Sequence, residues 1–118
     1  LPRLIIVETE GGALGPWNGP FTIEADHPDL PQVASAYVMM VVNGVSAYNK
    51  NEWEQSSLLR SYAVECFEEI RDDNPDAGTL LENIEVDVSR MPEALRSHPM
   101  WKLNRAILSC LPGISFIG

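Results

Sequence analysis

Between residues 59 and 70 the apolar positions recur at the spacing of one helix face. Leu59, Tyr62, Ala63, Cys66, Phe67 and Ile70 stand at i, i+3, i+4, i+7, i+8 and i+11, a single stripe. The pattern predicts one long amphipathic helix over Asn51–Asp73. Asn51 suits the N-cap with Glu54 three positions on, so that each side chain accepts from a main-chain N–H that the first turn leaves without a partner. Pro75 closes the helix, because the residue before a proline is pushed out of the α region. Tyr62 and Phe67 are expected to lie mostly buried against a sheet.

Elsewhere the period is two. Phe21, Ile23 and Ala25 alternate with Thr22, Glu24 and Asp26, and Ile84, Val86 and Val88 alternate with Glu85, Asp87 and Ser89. Both stretches read as strands with one exposed face. Arg3–Thr9 is a short β-branched run, a strand covered on both faces, and Ile114–Ile117 reads as a terminal strand. Ala36–Val42 leads into Asn43-Gly44 and out through Val45–Tyr48. Asn-Gly between apolar β-formers predicts a hairpin, because its tight turn needs positive φ at both central residues. The competing pattern is a helix over Pro31–Val42 capped by Asn43-Gly44. Pro92–Ser97 fits one or two helical turns. Pro99 opens a second helix running to Leu111, with Leu103, Ile107 and Cys110 turned inward. Asp76–Thr79 reads as a polar connection, with a short turn starting at Thr79.

These elements assemble into a single α+β domain over residues 1–118: a mostly antiparallel sheet of five or six strands, packed against one long helix (51–73) and a C-terminal helix (99–111). A chain of 118 residues can bury a core without staples. No apolar run reaches bilayer-spanning length and no signal-peptide pattern opens the chain, so a cytoplasmic protein is expected. Cys66 and Cys110, both on apolar faces, read as buried thiols of a reducing compartment.

The net charge is −9, and it is concentrated: residues 65–87 carry nine acids against Arg71 alone, whereas residues 88–118 carry Glu93 against four bases. Such a field disfavours nucleic acid and anionic membranes and draws in a basic protein.

Candidate chemistry adds little. The glycine-rich stretch Gly11–Pro20 follows a strand but lacks the dinucleotide and P-loop spacings, and Pro16 and Pro20 prevent a helix from opening there. It reads as a surface loop, with a pocket beside Trp17 as the place to look for a ligand. Asp72, Asn74, Asp76, Gly78 and Glu82 imitate a calcium loop, but glycine and glutamate fall one place out of register. His27 and His98 each precede a proline, with no nucleophile at recognisable spacing. No catalytic residue, cofactor or metal is expected.

The acidic face of the long helix is more specific. At about 100° per residue, Glu54, Leu58, Glu65, Glu69 and Asp72 share a narrow sector opposite the core stripe. Leu58 is ringed by acids there, an arrangement suited to a small apolar anchor inside an electrostatically steered interface. Asp73 and Asp76 extend the acidic block past the helix end. The expectation is a non-enzymatic acidic module that binds a basic protein, in the class of inhibitors and immunity proteins that neutralise nuclease toxins. The alternative is a small enzyme or ligand-binding domain with its pocket near Trp17.

Overall fold

Backbone polar groups at a strand must be paired on both sides or left at an edge, and the N-terminal strand of this chain is paired on both. The computed structural model describes residues 2–8, 21–46 and 56–118. In it β1 (Arg3–Glu8) lies between β2 (Phe21–Ala25) and β3 (Ile84–Asp87), and β4 (Ile114–Ile117) continues the sheet beyond β3 in the order β2-β1-β3-β4. β2 runs antiparallel to β1, with Leu4 opposite Ala25. β3 is parallel to β1, pairing Leu4 with Val86, and β4 is parallel to β3, pairing Val86 with Phe116.

This overturns the expected sheet of five or six mostly antiparallel strands. Among the described residues the sheet has four strands, three of them mutually parallel. The half-exposed alternation in Ile84–Val88 is real: Ile84, Val86 and Val88 are buried, and Glu85 and Asp87 are not. Period two records which face is covered and carries no information about the direction of a neighbour. On the face away from Leu4 and Val86, Arg3 pairs with Glu85 at 3.1 Å.

Parallel neighbours need long crossovers, and helices supply them. Between β2 and β3 come α1 (Leu30–Ser46), α2 (Ser56–Asp73) and α3 (Pro75–Glu82); between β3 and β4 come α4 (Glu93–Arg96) and α5 (Pro99–Leu108). The expected pair of helices therefore becomes a predominantly helical layer built around α1, which packs against α2, α3, α5 and β2.

α1 replaces the expected hairpin. Leu30, Ala34, Tyr37, Val38, Val41 and Val45 are all buried, and they follow the helical period through the Asn-Gly step without a break. Gly44 is present for proximity rather than for positive φ. The ring of Tyr62 on α2 occupies the space that a Cβ at Gly44 would fill. α2 keeps the predicted phase, with Leu59, Ala63 and Cys66 buried and its end at Asp73; the segment holding Asn51 and Glu54 lies outside the described residues. Tyr62 and Phe67, expected to be mostly buried, are half-buried at the margin of the stripe, and the Arg71 guanidinium stands 5.5 Å from the Phe67 ring centroid. No helix among the described residues is long and apolar enough to cross a membrane.

Candidate protein-binding faces

The outer face of α2 follows from its phase. Turning Leu59, Ala63 and Cys66 inward places Leu58, Glu65, Glu69 and Asp72 on the opposite side, and all four are exposed. Leu58 is 38% exposed, and among the described residues it is the one large hydrophobic side chain left so open. From Leu58 to Asp72 this strip runs roughly 20 Å at the helical rise. Glu54, assigned to the same sector, lies outside the described residues.

The two bases of α2 do not neutralise the strip. Arg71 lies over Phe67, and its aliphatic stem packs against Gly78 on α3. Arg60 lies near enough to Cys110 on the body of the protein to draw that thiol's pKa down, against the larger upward push of burial. Both guanidinium groups belong to the flank away from Leu58. The acidic sector thus faces solvent as one sign of charge.

Asp73 and Asp76 belong elsewhere. Asn74 both ends α2 and opens α3: its N–H donates to the Ile70 carbonyl at 2.8 Å, and its Oδ1 accepts from the Ala77 N–H at 3.2 Å. Pro75 sits in the first turn, where its missing N–H costs nothing, and Asp76 lies beside the positive end of the helix. The segment Asp76–Glu82 is therefore helix, not the expected polar connection, and this also removes the loop that a calcium site would need. The signal was present in Asn74-Pro75-Asp76, a helix start hidden by the polar look of the following residues.

The sharp α2–α3 corner leaves a shallow groove against α1. Val33 and Ala36 form one wall and Ile70 and Ala77 the other, enclosing about 280 Å³ with Asp73 at the rim. A depression of about 330 Å³ continues from it toward Leu80, bordered by Asp29 and Asp76. Of the predicted partner-binding residues, the structure thus groups Leu58, Glu65, Glu69 and Asp72 on one face and Asp73 and Asp76 on another. The groove was invisible to local pattern because it needs three helices, two of which read as something else.

Among the described residues, burial acts on three titratable groups, Tyr37, Cys66 and the half-buried Cys110. Tyr37 is fully buried, donates to the Ile107 carbonyl at 3.2 Å, and has its pKa pushed far up by desolvation, with Cys110 and Cys66 adding to the rise. Burial likewise pushes the Cys66 and Cys110 thiols up; both are free cysteines, and Cys110 donates to the Ala106 carbonyl at 3.3 Å. A raised acid holds its proton longer in the folded chain than in the unfolded one. These groups therefore contribute stability that is complete below the ordinary thiol range, about pH 8.5, and is lost as pH rises beyond it. Denaturant melts at increasing alkalinity should show stability falling above about pH 9, and Tyr37→Phe should flatten the part of the fall above about pH 10. A stability that stays level through that window would show the three groups to be solvated.

His27 is spent on its own turn, where its Nδ1 accepts from the Asp29 N–H at 3.1 Å. Ser89 donates to Asp87 through its hydroxyl at 2.6 Å and its N–H at 2.9 Å, which holds that carboxyl below its usual range. Among the described residues no group of three or more His, Cys, Asp or Glu side chains is placed to hold a metal. The Gly11–Pro20 loop and the Trp17 pocket fall outside the described residues. No protein-family model matches the chain, and no curated protein or solved structure matches it either.

Proposed function

We propose that this chain is a small acidic binding module that recognises a basic protein and covers its working surface, as an inhibitor or immunity protein does to a nuclease toxin. The observation that carries the reading is Leu58, an exposed leucine set in a strip of acids whose own helix turns its two bases away. The acids draw a basic partner in and orient it, while a desolvated apolar anchor holds it afterwards. On this reading the module is not an enzyme, binds neither nucleic acid nor membrane, and needs no cofactor.

The two roles separate kinetically. The tagged protein should retain a basic polypeptide at low salt and release it as salt rises, because exposed charges are screened beyond a Debye length of about 8 Å at physiological ionic strength. Against that polypeptide in stopped flow, the triple variant Glu65→Lys, Glu69→Lys, Asp72→Lys should slow association by about tenfold or more at low salt, with the fold unchanged. Leu58→Ala should act on dissociation, because an anchor contributes only after docking. Association that ignores the triple reversal would reduce the strip to a solvated surface.

A further inference from the structure

We infer that the groove between α1 and the α2–α3 corner is a docking site for a cationic amphipathic helix carried by the partner. The inference rests on the proposed function for the sign of the partner's charge and adds a second, separate surface.

The part of the groove between Val33 and Ala36 of α1, Ile70 of α2 and Ala77 of α3 is mostly apolar, with Gln32 and Asn74 beside it, and the continuation toward Leu80 is more polar. Its rim carries three exposed acids, Asp29, Asp73 and Asp76, and among the described residues no base lines it. An apolar trough inside an anionic rim complements a ligand with apolar side chains along one stripe and lysine or arginine on either side. An apolar ligand without charge would fill the floor and gain nothing from the rim. A basic but non-amphipathic segment would stay in solvent above the rim acids.

Helical form follows from the walls. They are helices whose main-chain groups are already bonded within themselves, and at the corner the Ala77 N–H donates to Asn74 Oδ1 while the Asn74 N–H donates to the Ile70 carbonyl. An extended peptide would find no row of N–H and C=O groups to pair with, so burying its backbone would leave polar groups bare. A helix brings its own pairs and presents side chains alone. From Asp29 to Ala36 the α1 wall offers roughly 10 Å, room for about two turns, so the ligand anchors through two apolar side chains at i and i+3 or i+4.

The corner itself is built to hold this shape. Asn74 clamps the end of α2 to the start of α3, Pro75 fixes the first turn, and the stem of Arg71 wedges against Gly78 behind it. The acids at the rim are therefore carried on a preorganised frame, and little ordering remains for the ligand to impose.

The test is a 15N-labelled sample of the full chain titrated with three synthetic helical peptides of equal length. One has a leucine stripe flanked by lysines, a second keeps the stripe and replaces lysine with glutamate, and a third keeps the lysines and replaces leucine with glutamine. The first peptide should shift the amides of residues 29–36 and 70–80, more weakly as salt rises, and the other two should not. Ala36→Arg places a bulky cation on an exposed position in the groove and should weaken the first peptide by about tenfold or more while leaving the spectrum of the fold intact. Shifts centred on Leu58, Glu65 and Glu69 instead would overturn the groove and leave the proposed function standing. Equal binding of the glutamate peptide would overturn the charge match, and an absence of shifts with all three would overturn the site. Shifts at the groove that grow with protein concentration in the absence of peptide would assign it to a second copy of this chain, and the inference would fall.

Discussion

Gly113→Ala is expected to destabilise the fold by about 3 kcal/mol or more, the upper end of what forced overpacking costs. A methyl group at residue 113 would land on the main-chain carbonyl oxygen of Glu82. Glu82 is the last residue of α3, and two residues later the Ile84 N–H donates to the Gly113 carbonyl at 3.1 Å. The two backbones are thus fastened to each other at the point where β3 and β4 begin to pair, Ile84 beside Ile114. Neither chain can retreat without opening that end of the sheet. Gly44 gives the contrast. There the obstructing group is the Tyr62 ring, half-buried at the end of a rotatable side chain, so Gly44→Ala should cost less. Urea unfolding followed by circular dichroism compares the two variants directly. A Gly113→Ala protein with an unshifted midpoint, or one less affected than Gly44→Ala, would show that the α3–β4 approach is looser than the structure has it.

That glycine also shows where sequence pattern stops. Pro112-Gly113 is legible as the end of a helix, and Ile114–Ile117 as a strand, because both are local events. The requirement for glycine comes from Glu82, thirty-one positions away in the chain, and no window contains it. The same division runs through the molecule. β2, β3 and the phase of α2 were readable from the period of their side chains, β1 from a β-branched run and the start of α5 from Pro99, whereas the expectation that β1 is covered on both faces fails at Arg3, which is exposed. α1 was not readable, although Leu30, Ala34, Val38, Val41 and Val45 fall on its inner face. Its valines and Tyr37 favour strand, and Asn43-Gly44 imitates a turn, until packing against Tyr62 overrides them. The parallel direction of β3 and β4 is a property of the crossovers, which the missed helices supply. Of the candidate surfaces, the Leu58 strip needed only one helix and was legible. The groove needed α1, α2 and α3 together, so Asp73 and Asp76 were picked out as acids before the place they border could be seen.

Asn104→Leu is expected to move stability the other way, raising it by about 1–3 kcal/mol, the cost of a buried amide left without partners. Asn104 lies on the inner side of α5 with Trp101, Ile107 and Leu108, and it is the buried polar residue of that core, 0% exposed. Its side-chain nitrogen and oxygen both lack a hydrogen-bond partner. In water each would be bonded, so folding strips them of solvent and returns nothing. Leucine has a similar size and no polar atoms, so it removes the penalty without opening a cavity. Alanine at the same position should gain less, because the vacated volume forfeits contacts with the neighbouring side chains. Asn104→Asp sharpens the test through its sign. A carboxyl in that site has its folded pKa raised by desolvation, so its protonated form is favoured at low pH. The Asp variant should therefore be weakest at neutral pH and recover ground on the wild type as pH falls toward about 4, the recovery being complete once the unfolded chain's own aspartate is protonated as well. Denaturant midpoints for the three variants at neutral and acid pH decide the matter. If leucine lowers stability, the amide is bonded in solution and Asn104 holds the core together through a polar contact; a gain with leucine and a neutral-pH loss with aspartate establish it as a standing cost inside the helical layer.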